Sequence, residues 1–287
     1  MKKTALFFLI GAGILYPPQK VDSQEFTEHI SKEFSLTGKQ TEANLFIYNI
    51  SGFIKVEGYA GNKVIFEIDK TISAENTKSL EAGKKEFRLG FDMVHDSIIA
   101  YIAEPFDSRP HRHWNGSDNQ EVEYNFNVNF TVKVPEGMNL HISTVNDGII
   151  SVNNVFGALH INNVNAEIVI KNAKGPTRAH TVNGDVIVTY LSNPAEESSY
   201  YTINGNIDVS YQPDLSAEVQ FKSMNGDLFT NFQGAEILPA TVNKIRENRD
   251  GAYVYKLNSS TTVRFGKGGR LFKFETLNGN VYIKIQS

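Results

Sequence analysis

Thr181-Val182-Asn183-Gly184-Asp185, with Val186, Val188 and Tyr190 following at alternate positions, is the stretch that decides the fold. The same pattern returns as Thr202-Ile203-Asn204-Gly205-Asn206, Ser223-Met224-Asn225-Gly226-Asp227 and Thr276-Leu277-Asn278-Gly279-Asn280, each leading into an alternating strand. Weaker copies precede them at Thr144-Val145-Asn146 and Asn163-Val164-Asn165. The six asparagines, Asn146, Asn165, Asn183, Asn204, Asn225 and Asn278, are 19, 18, 21, 21 and 53 residues apart. Asn-Gly between alternating strands is by itself a hairpin signal and would give an antiparallel meander or sandwich. The fixed period favours a different fold. Stacked parallel coils place like on like, so apolar columns close a core and Asn forms a hydrogen-bonded ladder. Gly then reads as the φ > 0 corner between faces. About twenty residues at ~3.3 Å each make a coil of two or three short strands. The expected fold class is all-β: a β-solenoid of parallel β-helix-like coils, about 20 residues each, with a β-rich N-terminal region.

The copies are unequal. Asn146-Asp147-Gly148 is one residue longer before its strand, which predicts a bulge, and Ala166-Glu167 stands where later copies have Gly-Asp. The long last step contains an insertion near residues 234–251, whose Lys244-Ile245-Arg246-Glu247-Asn248-Arg249-Asp250 reads as a charged, solvated excursion. Ahead of the repeats, Leu45–Gly58 reads as strand, turn and strand, and Lys63–Ile68, Ile98–Ala103 and Val122–Val134 as further strands. Ala74–Phe87 reads as one short helix or a charged loop. The expected organisation is residues 1–23 as a signal peptide, 24–138 as the N-terminal β-rich region and 139–287 as the repeat solenoid.

The signal peptide follows from Met1-Lys2-Lys3, a largely apolar run from Thr4 to Tyr16, and Pro17-Pro18. The run is too short to span a bilayer, and Val21 and Ser23 are small enough for cleavage between Ser23 and Gln24. Export to the periplasm or cell surface is expected, with no membrane span in the mature chain. The chain has 287 residues, no cysteine and a net charge of −4, which becomes −6 once Lys2, Lys3, Lys20 and Asp22 are removed. That balance argues against nucleic acid as a partner. Without cysteine there is no disulfide, thiol nucleophile, thiolate metal site or lipidated cysteine. Of 28 asparagines, 19 fall in residues 139–287, where the repeats lie.

Four segments together resemble a known family. They are Asn49-Ile50-Ser51-Gly52-Phe53-Ile54-Lys55-Val56-Glu57-Gly58, Val132-Lys133-Val134-Pro135-Glu136-Gly137, the Val-Asn-Gly-Asp-Val coils, and Gly266-Lys267-Gly268-Gly269 with Glu275–Ile283. The ordered set, spanning roughly residues 40–287, resembles the DUF4097 β-strand-repeat family, whose label is that of adhesins. The resemblance implies an exported, envelope-associated, solenoid-like protein, usually bacterial, and brings no catalytic residues.

For chemistry, the segment His111, Arg112, His113 and Trp114 is the candidate ligand-binding loop. In an extended segment His111 and His113 point the same way, but no third metal ligand is fixed by spacing, and no metal or cofactor is expected. A sugar- or peptide-contact loop is the favoured functional reading, beside a plain polar loop with one aromatic anchor. The column Asp185, Asn206, Asp227 and Asn280 suggests turn chemistry ahead of stacked Ca²⁺ ligands. Tyr190, Tyr200, Tyr201, Tyr211, Phe221, Phe229 and Phe232 are chiefly core, alternate ones being able to form an exposed aromatic strip, with Phe229 and Tyr282 out of phase and so candidates for the exterior. No nucleophile elbow, zincin motif or P-loop occurs. No catalytic residue is assigned, and a non-enzymatic, adhesin-like binding or scaffold protein for a surface glycan or protein is expected. The alternatives are a carbohydrate-active enzyme on a β-helix scaffold and a periplasmic accessory protein in envelope signalling.

Overall fold

A computed structural model describes residues 24–110, 122–239, 243–249, 252–258 and 261–286. The signal peptide expected at residues 1–23 lies outside the described residues. The chain is all-β, with two large mixed sheets and no closed barrel among the described residues. The first sheet runs in the order Gln24–Ser35, Lys63–Ala74, Asn125–Pro135, Ile54–Tyr59, Ile150–Asn153, Ile168–Ala173, Val186–Tyr190, Ile207–Tyr211, Val281–Ile285, Leu228–Thr230. Its first two joins are antiparallel and the others parallel. The second sheet carries the companion strands. From Ser97–Glu104 it continues in parallel through Asn44–Tyr48, Asn139–Ser143, Leu159–Asn162, Thr177–His180, Ser198–Asn204, Arg270–Asn278 and Ala217–Asn225. Each repeat thus lays one strand in each sheet, and alternation fixes which side chains enter. Val186, Val188 and Tyr190 from one sheet and Thr177 and Ala179 from the other are fully buried between them.

Two departures from sequence order shape the stack. Strands from residues 44–59 and 139–153 are direct neighbours in both sheets, so the stacking begins ahead of Met138. At the other end the final strands, Arg270–Asn278 and Val281–Ile285, lie between residues 198–211 and residues 217–230. The last copy of the motif is therefore the penultimate layer of the stack.

The segment expected to be a helix or a charged loop is a helix, Thr77–Glu86, capped by Asn76, whose side chain accepts a 2.9 Å bond from the Ser79 N–H. The insertion differs from expectation. Asn243–Arg249 is a strand, paired antiparallel with Ala252–Asn258 in a separate two-stranded sheet. The intervening Asp250-Gly251 is a hairpin dipeptide in the sequence, a stronger local signal than the charge that suggested a solvated excursion.

The corner glycines also have a different reason from the one expected. Gly205 and Gly279 sit at φ 159° and 158°, at the rim of extended backbone, and Gly184 and Gly226 do not have positive φ. Their constraint is close approach. A Cβ at Gly184 would stand 2.4 Å from the Ala166 carbonyl oxygen, at Gly205 2.2 Å from that of Gly184, and at Gly279 1.9 Å from that of Gly205. Only a residue without a side chain lets successive corners stack this tightly. In the first copy the additional residue, Asp147, takes a left-handed φ of 53°.

Candidate functional site

Along one corner the six asparagines join side chain to side chain. Nδ2 of Asn165 donates to Asn146 Oδ1 (3.2 Å), Asn183 to Asn165 (3.0 Å), Asn204 to Asn183 (2.8 Å), Asn278 to Asn204 (2.7 Å) and Asn225 to Asn278 (2.8 Å). The ladder follows spatial rather than sequence order, and every member is exposed. Each amide therefore keeps a donor and a lone pair facing water. The threonine hydroxyls two residues before Asn183, Asn204 and Asn278 point the other way, into the core. Thr181 Oγ1 donates to the Ala166 carbonyl (2.9 Å), Thr202 to that of Gly184 (2.9 Å) and Thr276 to that of Gly205 (3.2 Å). These hydroxyls satisfy carbonyls that the tight corner buries. The residue after the glycine accepts backbone N–H groups: Asp185 Oδ1 from Asn206 (2.7 Å), Asn206 Oδ1 from Asn280 (2.9 Å) and Asn280 Oδ1 from Asp227 (3.0 Å). This is stacking and turn chemistry.

Between the hydroxyl and Asn columns lies an apolar one, Val145, Val164, Val182, Ile203, Leu277 and Met224, with Met224 78 % exposed. Its far end borders a groove of about 220 Å³ lined by Tyr201, Ile203, Lys222, Met224, Glu275 and Leu277. At the foot of the ladder an open cleft of about 580 Å³ is lined by Ile50, Ser51, Tyr124, Phe126, Asn146 and Asp147 among others.

The outer face of the second sheet carries the ring side chains. Strand register puts Phe46, His141, His160, Arg178, Ser199 and Lys273 in one column across consecutive strands. Phe46 stacks on His141 at 4.6 Å between centroids and 15°, and His160 meets His141 edge-on at 4.7 Å. In the neighbouring column His180 contacts the Tyr201 ring at 5.9 Å and the Ser199 hydroxyl at 3.2 Å. Burial holds the imidazoles of His141, His160 and His180 below the ordinary histidine range. The positive charge of Arg178 adds to this for the latter two, and His160 acts on both His141 and His180. The opposite outer face has the stacked pair Phe229 and Tyr282, 5.2 Å apart.

His111, Arg112, His113 and Trp114 lie outside the described residues, so the structure describes no contact of theirs. The ring column was missed in the sequence, although a signal existed: His141 and His160 are 19 residues apart, the same step as Asn146 to Asn165.

No family model and no curated protein matches the chain. Two solved structures do. One is a "putative cell adhesion protein" from Clostridium sporogenes, 11 % identical, covering 90 % of this chain and 100 % of its own, with a TM-score of 0.39. The other is a "putative adhesin" from Bacteroides fragilis, 10 % identical, covering 90 % and 97 %, with a TM-score of 0.32. Both likenesses are too remote to assign a shared ligand. Among the described residues no helix is long and apolar enough to cross a membrane.

Proposed function

We propose that the chain is an exported, non-enzymatic β-solenoid protein that binds a surface glycan or protein through the outer face of its second sheet. The solenoid reading is supported by repeats that lay one strand in each sheet and stack like residues in parallel register. The observation that carries the binding role is the ring-and-cation column. Phe46, His141, His160 and Arg178 stand on four consecutive strands, none of them needed for the core. A regular stack makes such a face long and rigid, which lowers the ordering cost of binding an extended partner. Export rests on the N-terminal sequence pattern.

The test is adherence of protein-coated beads to envelope or host-cell preparations. The double variant His160→Glu with Arg178→Glu, checked for an unchanged melting temperature, is expected to abolish adherence. Undiminished adherence overturns the assignment of this face. Reproducible bond cleavage in a glycan incubated with the protein overturns the non-enzymatic reading.

A further inference from the structure

We propose that the ligand of this face is a linear acidic polysaccharide, a polymer of uronate-type sugars whose carboxylates lie along the column from His141 to Lys273. The inference rests on the outer face of the second sheet being the contact surface. Its first support is geometric. His141, His160, Arg178, Ser199 and Lys273 occupy one register position on five successive strands. At ~4.8 Å per strand they line a run of about 19 Å with donors. The second is ring orientation. Phe46 and His141 lie nearly parallel and cover each other's faces, so a ligand meets ring edges. Imidazole edges present nitrogen donors, which suits carboxylate oxygens better than stacking on a sugar ring.

Charge complementarity is the third support. The chain is net negative, but two carboxylates near this face are engaged, while Glu197, just ahead of the strand that carries Ser199, is exposed without an ion pair among the described residues. Glu275 is paired with Lys222 at 2.5 Å, and at the far end Asp92 is paired at 3.1 Å with Arg109, which lies over the Tyr101 ring. Arg178 and Lys273 are exposed and form no ion pair among the described residues. The charges that bear on the three imidazoles are Arg178 and one another, with no carboxylate. Near neutral pH the column's charge is therefore that of Arg178 and Lys273, and acidification adds protons at the imidazoles. Uronate carboxylates stay ionised well below that range, so a bound polymer favours the protonated rings and binding tightens as pH falls.

The experiment measures binding of the purified chain to polygalacturonate and to its fully methyl-esterified form by calorimetry, at about pH 5 and about pH 7.5. The acid polymer is expected to bind at least about tenfold tighter at the lower pH, with affinity falling as salt rises. Arg178→Gln and Ser199→Glu, both with unchanged melting, are each expected to cost tenfold or more. If the ester binds as tightly as the acid and Ser199→Glu weakens it, the acidic class is overturned while the face remains the contact surface. If the acid polymer binds the two variants as well as the parent, it binds elsewhere and the inference fails. Polyglutamate binding as tightly as polygalacturonate overturns the saccharide assignment. Failure of every polymer to bind overturns the inference, and unchanged bead adherence of the glutamate double variant then removes the contact surface as well.

Discussion

Replacing Tyr200 with phenylalanine removes one oxygen atom from the middle of the core and nothing else. The Tyr200 hydroxyl stands 2.7 Å from that of Tyr190 and 3.1 Å from that of Tyr211, bridging from the second sheet to two strands of the first. All three rings are fully buried, with Tyr190 and Tyr211 stacked at 5.1 Å. Tyr190 also has the Thr177 and Ser198 hydroxyls as polar neighbours, so its oxygen is less completely stranded. Tyr211 is left without its hydroxyl partner. A buried hydroxyl stranded in this way costs about 1–3 kcal/mol. With Tyr190 only partly affected, about 2 kcal/mol is expected for Tyr200→Phe. Tyr211→Phe leaves the 190–200 bond intact and should cost about 1 kcal/mol, a typical net hydrogen bond. For a chain of this size 2 kcal/mol lowers the melting temperature by about 4 °C. Calorimetric melting and urea unfolding of the two variants and the double variant measure both the costs and their coupling. A Tyr200→Phe cost within about ±0.5 kcal/mol, or a cost below that of Tyr211→Phe, refutes the bridging role.

Gly205→Ala should destabilise by about 1–3 kcal/mol, because its Cβ would stand 2.2 Å from the Gly184 carbonyl oxygen. Asn204→Ala should cost about 1 kcal/mol or less, since the two ladder bonds it loses are exposed; urea midpoints rank the pair, and a reversed order contradicts the packing account. Burial raises the pKa of Tyr190, Tyr200 and Tyr211. Their stabilising contribution is therefore complete below the unfolded value of about 10 and lost as pH rises beyond it, so alkaline unfolding should set in above about pH 10, and stability should fall less steeply with pH in Tyr200→Phe, which has one such group fewer. N-terminal sequencing of protein recovered outside the cytoplasm should begin at Gln24, and an intact Met1 contradicts the leader.

The repeat was legible because its asparagines, glycines and hydroxyls each meet a demand that recurs in every layer. Stacked Asn side chains need an Asn at the same register, and a corner where a Cβ would stand about 2 Å from a carbonyl oxygen needs a glycine. What the motif did not carry was the order of layers. Residues 217–230 and 270–285 bear the same consensus, so either is compatible with the layer at 198–211. The choice between them depends on the connecting strands, among them Thr261–Phe265, which pairs antiparallel beside Ala217–Phe221. The layer at 44–59 was hidden for a related reason. Its Asn49-Ile50-Ser51-Gly52 has asparagine in the hydroxyl position, where Asn49 Nδ2 reaches the Gly52 and Val128 carbonyls, and serine in the ladder position, where Ser51 bridges Asn146. The outer ring column was overlooked because histidines adjacent in sequence, at 111 and 113, drew the reading. Those joined by the stack, at 141 and 160, are 19 residues apart.

Every column described here depends on the order in which the layers stack, and the absence of native cysteine allows that order to be trapped directly. Asn204 and Asn278 are register partners, as are Asn225 and Asn278, while Asn204 and Asn225 are separated by a whole layer. Neighbouring strands stand ~4.8 Å apart, within disulfide reach, and two layers span about 9.6 Å, beyond it. Under mild oxidation the pair Asn204→Cys with Asn278→Cys should close an intramolecular disulfide that peptide mapping detects, and Asn204→Cys with Asn225→Cys should remain reduced. A disulfide in the second pair, with none in the first, contradicts the stack.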